Sequence, residues 1–137
     1  MNRRDLQNLS SLRLREARAL FDLRQYSGAY YLAGYAVECA LKACIAKQTR
    51  RYDFPDKKIT SGSYTHDLGG LAITAKLNAA FLQRSSQDKF FEANWSLIKT
   101  WSEESRYRTI NKSDCSAFLD AIMEEQHGVL PWLKQLW

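Results

Sequence analysis

The segment from residue 27 to residue 48 limits most strongly what this chain can fold into. Its small and apolar residues, placed at the helical period, cover most of a helix circumference: Ala29, Leu32, Ala33, Ala36, Val37, Ala40, Leu41, Ala43 and Cys44. A helix that is apolar nearly all round has to be buried. The sequence therefore predicts a central helix around which the other segments pack. Its one polar stripe consists of Tyr31, Tyr35, Glu38 and Lys42.

Four other segments carry one apolar face each at helical spacing, and no segment shows strand alternation. We therefore expect an all-α fold, a five-helix up-and-down bundle in one domain, 1-137. The expected inner residues of the first helix are Leu6, Leu9, Leu12, Leu20 and Leu23. Those expected on the fourth are Phe90, Leu97, Ile98 and Trp101, flanked by Phe91 and Trp95.

Capping residues predict where these helices begin. After a break at Ser27 and Gly28, Ser27 is the expected cap of the central helix, and Thr65 that of the third. Ser86 is expected to open the fourth helix and Ser113 to cap the fifth, which we expect to be kinked or briefly broken at Gly128 and Pro131. Residues 49–64 have no helical period and are interpreted as a basic, turn-rich connection.

The net charge of +5 is unevenly placed along the chain. Residues 1–58 carry twelve basic and six acidic groups, and residues 59–137 carry eight and nine. Such a bias attracts RNA, DNA or acidic proteins, although a solvated surface explains it equally well. No run is long and apolar enough to span a bilayer, and the first residues do not resemble a signal segment. We therefore expect a cytoplasmic protein without membrane association.

The sequence contains no complete catalytic or metal-binding signature. It has no Gly-rich phosphate loop, no His-Glu-x-x-His and no Gly-x-Ser-x-Gly. Cys39, Cys44 and Cys115 are odd in number and have no ligand spacing, so buried free thiols are expected, with no metal and no cofactor. His66 and His127 could act as bases near neutral pH, but their places at helix ends also suit capping or surface histidines.

The stretch Ser-Gly-Ala-Tyr-Tyr-Leu-Ala-Gly-Tyr-Ala-Val-Glu-Cys-Ala-Leu-Lys-Ala, residues 27–43, resembles the signature helix of the HEPN domain family. His66-Asp67-Leu68, Ser105-Arg106-Tyr107 and a long final helix extend the resemblance over essentially the whole chain. It implies a five-helix bundle, commonly a homodimer, in a family associated with RNA. Many members cleave RNA without a metal, using an arginine and a histidine separated by four to six residues. Others resemble toxin or antitoxin subunits that work with a small nucleotidyltransferase, and some only bind.

This chain departs from the nuclease pattern of the family. After Arg106, the position that follows four intervening residues holds Asn111, and asparagine cannot transfer a proton near neutral pH. The favoured interpretation is a dimeric binding module for RNA, a nucleotide or a nucleotidyltransferase partner. A role as a component of a toxin–antitoxin system is one form of this interpretation. The alternatives are a ribonuclease with a diverged site, using His66 or Tyr107, and a structural or adaptor protein.

The candidate binding residues lie on the central helix and after the fourth helix: Tyr31, Glu38, Lys42, Arg106, Tyr107, Arg108 and Asn111. Glu38 needs a partner, because an ionised carboxylate on the most buried helix is costly unless it is paired. We expect that partner to be Arg106, within the chain or across a dimer, since a guanidinium can bind a carboxylate through two hydrogen bonds. Lys42, one turn further along the helix, is the simpler candidate.

Overall fold

A computed structural model describes residues 1–49, 54 and 56–137. These residues form eight α-helices and one 3-10 turn and include no strand, so the all-α prediction is confirmed, whereas the helix count differs from five. The helices are α1 (Arg3–Asp22), α2 (Tyr26–Lys47), α3 (Lys57–Gly62), α4 (Leu68–Thr74), α5 (Asn78–Gln87), α6 (Lys89–Ile98), α7 (Lys112–Met123) and α8 (Val129–Leu133). The 3-10 turn, Glu103–Tyr107, lies between α6 and α7.

Helix α2 is the central element, as its composition predicts. Thirteen of its residues are buried, and α1, α4, α7, α8 and the 3-10 turn all pack against it. Its many alanines let neighbouring backbones approach closely, so the core is built around α2 with few bulky side chains of its own. The larger core side chains come from its neighbours, among them Phe91, Phe118 and Leu71.

Helix α1 contacts α2 differently from the prediction. Its buried residues are Ser10 and Ala17, whereas Leu12 and Leu23 are exposed. Ser10 is the closest polar link between the two helices, because its hydroxyl donates a hydrogen bond of 2.7 Å to the carbonyl of Ala36. The expected leucine stripe is therefore wrong in part: small residues face α2.

Two helix junctions are set by residues with left-handed backbone geometry. Arg24 has φ 61° and separates α1 from α2, so Ser27 does not cap α2 but lies inside it, where its hydroxyl accepts a hydrogen bond from the Ile110 N–H. Lys76 has φ 57° and divides the expected third helix into α4 and α5. Non-glycine residues rarely adopt this geometry, and neither break carries the glycine that would have signalled it.

Three predicted caps are replaced by carboxylate or amide side chains nearby. Asp67, not Thr65, caps α4 by accepting from the Gly69 N–H. Asp88 caps α6 through the N–H groups of Phe90 and Phe91, and Ser86 lies within α5. Asn111, not Ser113, caps α7. Each replacement uses a side chain that accepts hydrogen bonds readily, so the type of signal was correct and the residue was not.

The expected turn-rich connection contains a short helix. Asp56 caps α3 by accepting from the Lys58 N–H, which places residues 57–62 in helical geometry. This part of the prediction is wrong, because a single capped turn is too short to show a period. Residues 50–53 and 55 of the same connection lie outside the described residues.

The final helical segment is broken, as expected. Helix α7 ends at Met123 and α8 begins at Val129, with Gly128 between them. A Cβ atom on Gly128 would lie 2.2 Å from the Glu124 carbonyl oxygen, so this close approach needs glycine. Pro131 lies in the first turn of α8, where its missing N–H costs nothing.

An aromatic cluster joins α5, α6 and α8. Phe81 stacks on Trp95 with ring centroids 4.1 Å apart, and Trp132 meets the edges of Phe81 and Phe91 at 4.6 and 5.0 Å. The buried face of α6 thus consists of Phe91, Trp95 and Ile98. The prediction that Phe90 and Leu97 face the core is wrong, because both are exposed. The buried face of α6 is centred one residue later in the sequence than predicted.

The three cysteines are buried, which confirms their expected environment. Burial raises the pKa of Cys39 to about 12 and those of Cys44 and Cys115 to about 11. These thiols are therefore protonated core side chains at neutral pH. Within the described ranges, no helix has the length and apolar character needed to cross a bilayer.

We expect Gly34→Ala to destabilise the protein. A Cβ atom there would lie 2.2 Å from the indole ring of Trp101, which is 2% exposed and has no room to move. Overpacking of this kind costs about 1–3 kcal/mol. The matched control is Gly69→Ala, whose Cβ would meet no atom closer than 3.6 Å and should be neutral or stabilising. Urea unfolding of both variants tests this; equal stability would contradict the assigned packing.

Candidate functional site

Glu38 is the one carboxylate buried on α2. It is 1% exposed, and the Lys42 ammonium donates a hydrogen bond of 2.9 Å to its Oε1 atom. The two residues are one helical turn apart, so the α-helix itself brings them together. Lys42 keeps 23% of its side chain exposed, and one such contact leaves much of a buried carboxylate without a partner.

His66 supplies the remaining contacts of this carboxylate. Its Nδ1 atom lies 2.9 Å from Oε1 and 3.1 Å from Oε2 of Glu38. Its Nε2 atom lies 3.1 Å from Oε2 of Glu103. The Nδ1 contacts with Glu38 have hydrogen-bond geometry, whereas the Nε2 contact with Glu103 is a close charge contact, attractive when the ring is protonated. The imidazole ring therefore lies between two carboxylates.

Local sequence holds His66 in this position. The Thr65 hydroxyl accepts a hydrogen bond of 3.1 Å from the Asp67 N–H, and Asp67 in turn caps α4. These contacts fix the backbone on both sides of His66. Its side chain then points to α2 on one side and to the first residue of the 3-10 turn on the other.

An open groove of about 460 Å³ lies beside His66. Its lining consists of Thr65, His66, Asp67, Lys99, Thr100, Trp101, Ser102, Glu103 and Glu104. The groove combines one lysine with several carboxylates, so it offers no concentrated positive charge of its own. The basic residues nearest to it in sequence lie at the other end of the 3-10 turn.

Arg106 and Tyr107 form an exposed pair at that end, which we call the arginine–tyrosine pair. The guanidinium carbon lies 4.9 Å from the centre of the Tyr107 ring, and Tyr107 is 79% exposed. A hydrogen bond with Tyr107, and a weaker contribution from Tyr31, raise the pKa of Arg106. Arg108 follows and is exposed, and its backbone N–H closes the turn with a 3.0 Å hydrogen bond to the Ser105 carbonyl.

The predicted site residues divide into two groups and one outlier. The ring centroids of Tyr31 and the buried Trp101 are 6.0 Å apart, and Tyr31 contributes to the raised pKa of Arg106, so it belongs with the arginine–tyrosine pair. Glu38 and Lys42 form the buried ionic group described above. Asn111 is the outlier, because its side-chain oxygen accepts the Asp114 N–H at 2.8 Å and serves as a helix cap.

The expected contact between Glu38 and Arg106 is not formed within the described part of the chain. Glu38 pairs with Lys42 and His66 instead. The requirement for a partner was correct, but the carboxylate is satisfied from the turn before α4. A contact between Glu38 and Arg106 across a dimer stays a prediction.

Sequence reasoning assigned His66 no place in the binding site and did not identify Glu103. Only half of the signal for His66 was available: a buried glutamate needs a donor, but no sequence pattern places the turn before α4 beside Glu38. Glu103 had no such signal, because its role depends on the fold bringing the 3-10 turn beside the loop before α4.

The second histidine belongs to a different cluster. His127 Nδ1 lies 2.6 Å from Asp88 Oδ2, and the His127 carbonyl accepts from Asn94 at 2.9 Å. Arg84 also contacts Asp88 and donates to the Gln126 carbonyl. This cluster ties the junction of α5 and α6 to the connection before α8, so a structural role explains His127.

Among the described residues, no group of three or more His, Cys, Asp or Glu side chains has a geometry suited to a metal ion. Comparison of the chain with protein families, with curated proteins and with solved structures found no match in any of the three.

The Asp88 cluster gives a pH-dependent contribution to stability. The hydrogen bond from His127, with the Phe91 N–H and the Arg84 charge, lowers the pKa of Asp88 below its ordinary value of 3.8. A lowered carboxyl pKa stabilises the fold above the ordinary value and loses that effect as the pH falls through the folded-state pKa. We therefore expect Asp88→Asn to be less stable than wild type at neutral pH, and the gap to narrow in acid. Urea unfolding of both proteins at a series of pH values measures this difference in the free energy of unfolding. A difference that stays constant with pH would contradict the lowered pKa of Asp88.

Glu38 and His66 should be energetically coupled. Glu38→Gln, His66→Gln and the double variant, compared by denaturant unfolding, should give a coupling of about 1 kcal/mol or more. The control cycle combines Glu38→Gln with Arg106→Gln and should be additive within about 0.5 kcal/mol. Coupling in the control cycle alone would transfer the role of partner from His66 to Arg106.

Proposed function

We propose that the chain is an HEPN-type binding module that engages single-stranded RNA through the arginine–tyrosine pair and Arg108. The observation that carries the proposal is the exposed Tyr107 ring beneath the Arg106 guanidinium. An aromatic face next to cationic groups suits an unstacked base and its phosphates. Tyr31, which contributes to the raised pKa of Arg106, supports the pair from α2.

Charge and position favour RNA over an apolar partner at this surface. Arg106, Tyr107 and Arg108 are consecutive and exposed, so two cationic side chains flank the ring. Phosphate contacts supply affinity that falls with salt, whereas stacking tolerates any base. The proposed binding is therefore salt-dependent and of low sequence specificity.

The HEPN resemblance belongs to this proposal. In it, α4 with α5, and α7 with α8, correspond to single long helices that this chain interrupts at Lys76 and at Gly128. A homodimer is part of the same proposal, supported by exposed apolar side chains that include Phe90, Leu82 and Ile73. A nucleotidyltransferase partner, as in toxin–antitoxin systems, follows from the resemblance alone.

One contact favours an enzyme as the alternative. A histidine oriented by a buried carboxylate is the arrangement of a general base, and Glu38 holds His66 in this way. A metal-independent ribonuclease could use it. Glu103 lies against the other ring nitrogen, however, so the base would have to lose that contact before it reached a substrate.

We expect Tyr107→Ala to weaken binding of a fluorescein-labelled oligouridylate by about 1–3 kcal/mol, because it removes the stacking surface. Arg106→Gln should weaken binding because it removes one phosphate contact. The slope of log affinity against log salt concentration should therefore fall by about 1. Fluorescence anisotropy at several salt concentrations measures both. Light scattering on the same samples reports whether one or two copies bind.

Matched controls separate this surface from general charge. Tyr64→Ala removes another exposed tyrosine, which is 82% exposed, and Arg15→Gln removes an exposed arginine on α1. Both should bind as wild type does. Equal losses in the controls, or no binding by wild type, would overturn the proposed surface. Cleavage of the RNA in these samples, lost in His66→Gln, would establish the ribonuclease alternative.

A further inference from the structure

The 3-10 turn that carries the arginine–tyrosine pair has few polar anchors. Its middle residue, Ser105, is 1% exposed, yet its hydroxyl has no hydrogen-bond partner in the described part of the chain. At its start, Glu103 is held through its side chain by His66. Because the turn spans only five residues, a contact at Glu103 restricts the orientation of Arg106 and Tyr107 as well.

The link between Glu103 and Glu38 depends on how many protons His66 carries. A neutral imidazole has one N–H, so it can donate to one of the two carboxylates. Glu38 is buried, whereas the Glu103 side chain is 43% exposed and can be hydrated. Leaving the buried carboxylate unsatisfied costs more, so a neutral ring keeps its hydrogen on Nδ1. A neutral ring then has no charge to attract the Glu103 carboxylate beside Nε2, and that contact is lost.

Four other charged groups lie near His66, on α2, at the start of α4, at the end of α6 and on the 3-10 turn. On α2, Lys42 is bonded to Glu38. Asp67, next to His66, caps α4, and Lys99, at the end of α6, and Glu104, on the turn, line the open groove. None of these four bridges Glu38 and Glu103, so the protonated ring is the ionic link between α2 and the first residue of the 3-10 turn.

We propose that His66 is a positioning residue for the arginine–tyrosine pair. In its imidazolium form it ties Glu103, at the start of the 3-10 turn, to α2 and holds the pair in the geometry that binds RNA; in its neutral form this tie is lost and the exposed end of the turn is less restricted. Binding of single-stranded RNA is therefore coupled to protonation of a residue that does not touch the RNA. This inference rests on the proposed function.

Affinity for the labelled oligouridylate, measured from about pH 5 to about pH 8, tests the coupling, because histidine changes charge in this range. Wild type should bind about tenfold more weakly at the upper end, the equivalent of about 1.4 kcal/mol. Glu103→Gln should bind tightly at every pH, since its amide can accept from a protonated ring or donate to a neutral one. His66→Ala should bind weakly at every pH, and His127→Gln should keep the wild-type profile.

A readout without RNA separates this inference from the proposed function. The Arg108 N–H closes the 3-10 turn, so its hydrogen-exchange protection factor should fall with rising pH in wild type and not in Glu103→Gln. Such a fall, with no RNA binding at any pH, would support positioning by His66 and overturn the RNA proposal. RNA binding with the wild-type pH profile retained in both His66→Ala and Glu103→Gln would overturn positioning by His66.

Discussion

The ionic group around Glu38 is the constraint on which much of this structure depends. A carboxylate with 1% exposure sits on a helix that is otherwise packed with alanine and other small residues. Removing one partner of such a buried charge typically costs roughly 3–5 kcal/mol, so the surrounding chain must deliver donors to this point. Helix geometry places Lys42 beside Glu38, and the capped turn before α4 places His66 there. The loop before α4 and the 3-10 turn therefore have fixed places relative to α2.

Close approach to α2 is the second organising principle. Ser10 contacts the backbone of α2 at Ala36, and the indole of Trp101 occupies the space that Gly34 leaves free. Because α2 presents little side-chain volume, its neighbours contribute the bulk of the core, and the stacked rings of α5, α6 and α8 fill the remaining space. The 3-10 turn follows directly from this packing, since Trp101 and Ser105 are both buried while Arg106 and Tyr107, the last two residues of the turn, stay exposed.

Sequence patterns predicted the features that repeat along one helix, such as its buried face. They missed the features that depend on one backbone angle or on contacts between residues far apart in the sequence. The burial of α2 and the break between α7 and α8 were predictable, because composition and Gly128 signal them directly. The division at Lys76 was not, since lysine gives no warning of a left-handed φ. At the site, the need of Glu38 for a donor was predictable from burial alone. The identity of that donor was not predictable, because His66 and Glu38 meet only after folding.

The three buried thiols can report local opening of the core, because a reagent can reach them only when the surrounding helices separate. Alkylating reagents attack the thiolate, and Cys39, Cys44 and Cys115 are both shielded and held protonated by their surroundings. Two of them lie on the central helix and one on α7, so modification at each position requires that part of the core to separate from its neighbours. The order in which the three sulfurs react would trace the order in which the core comes apart.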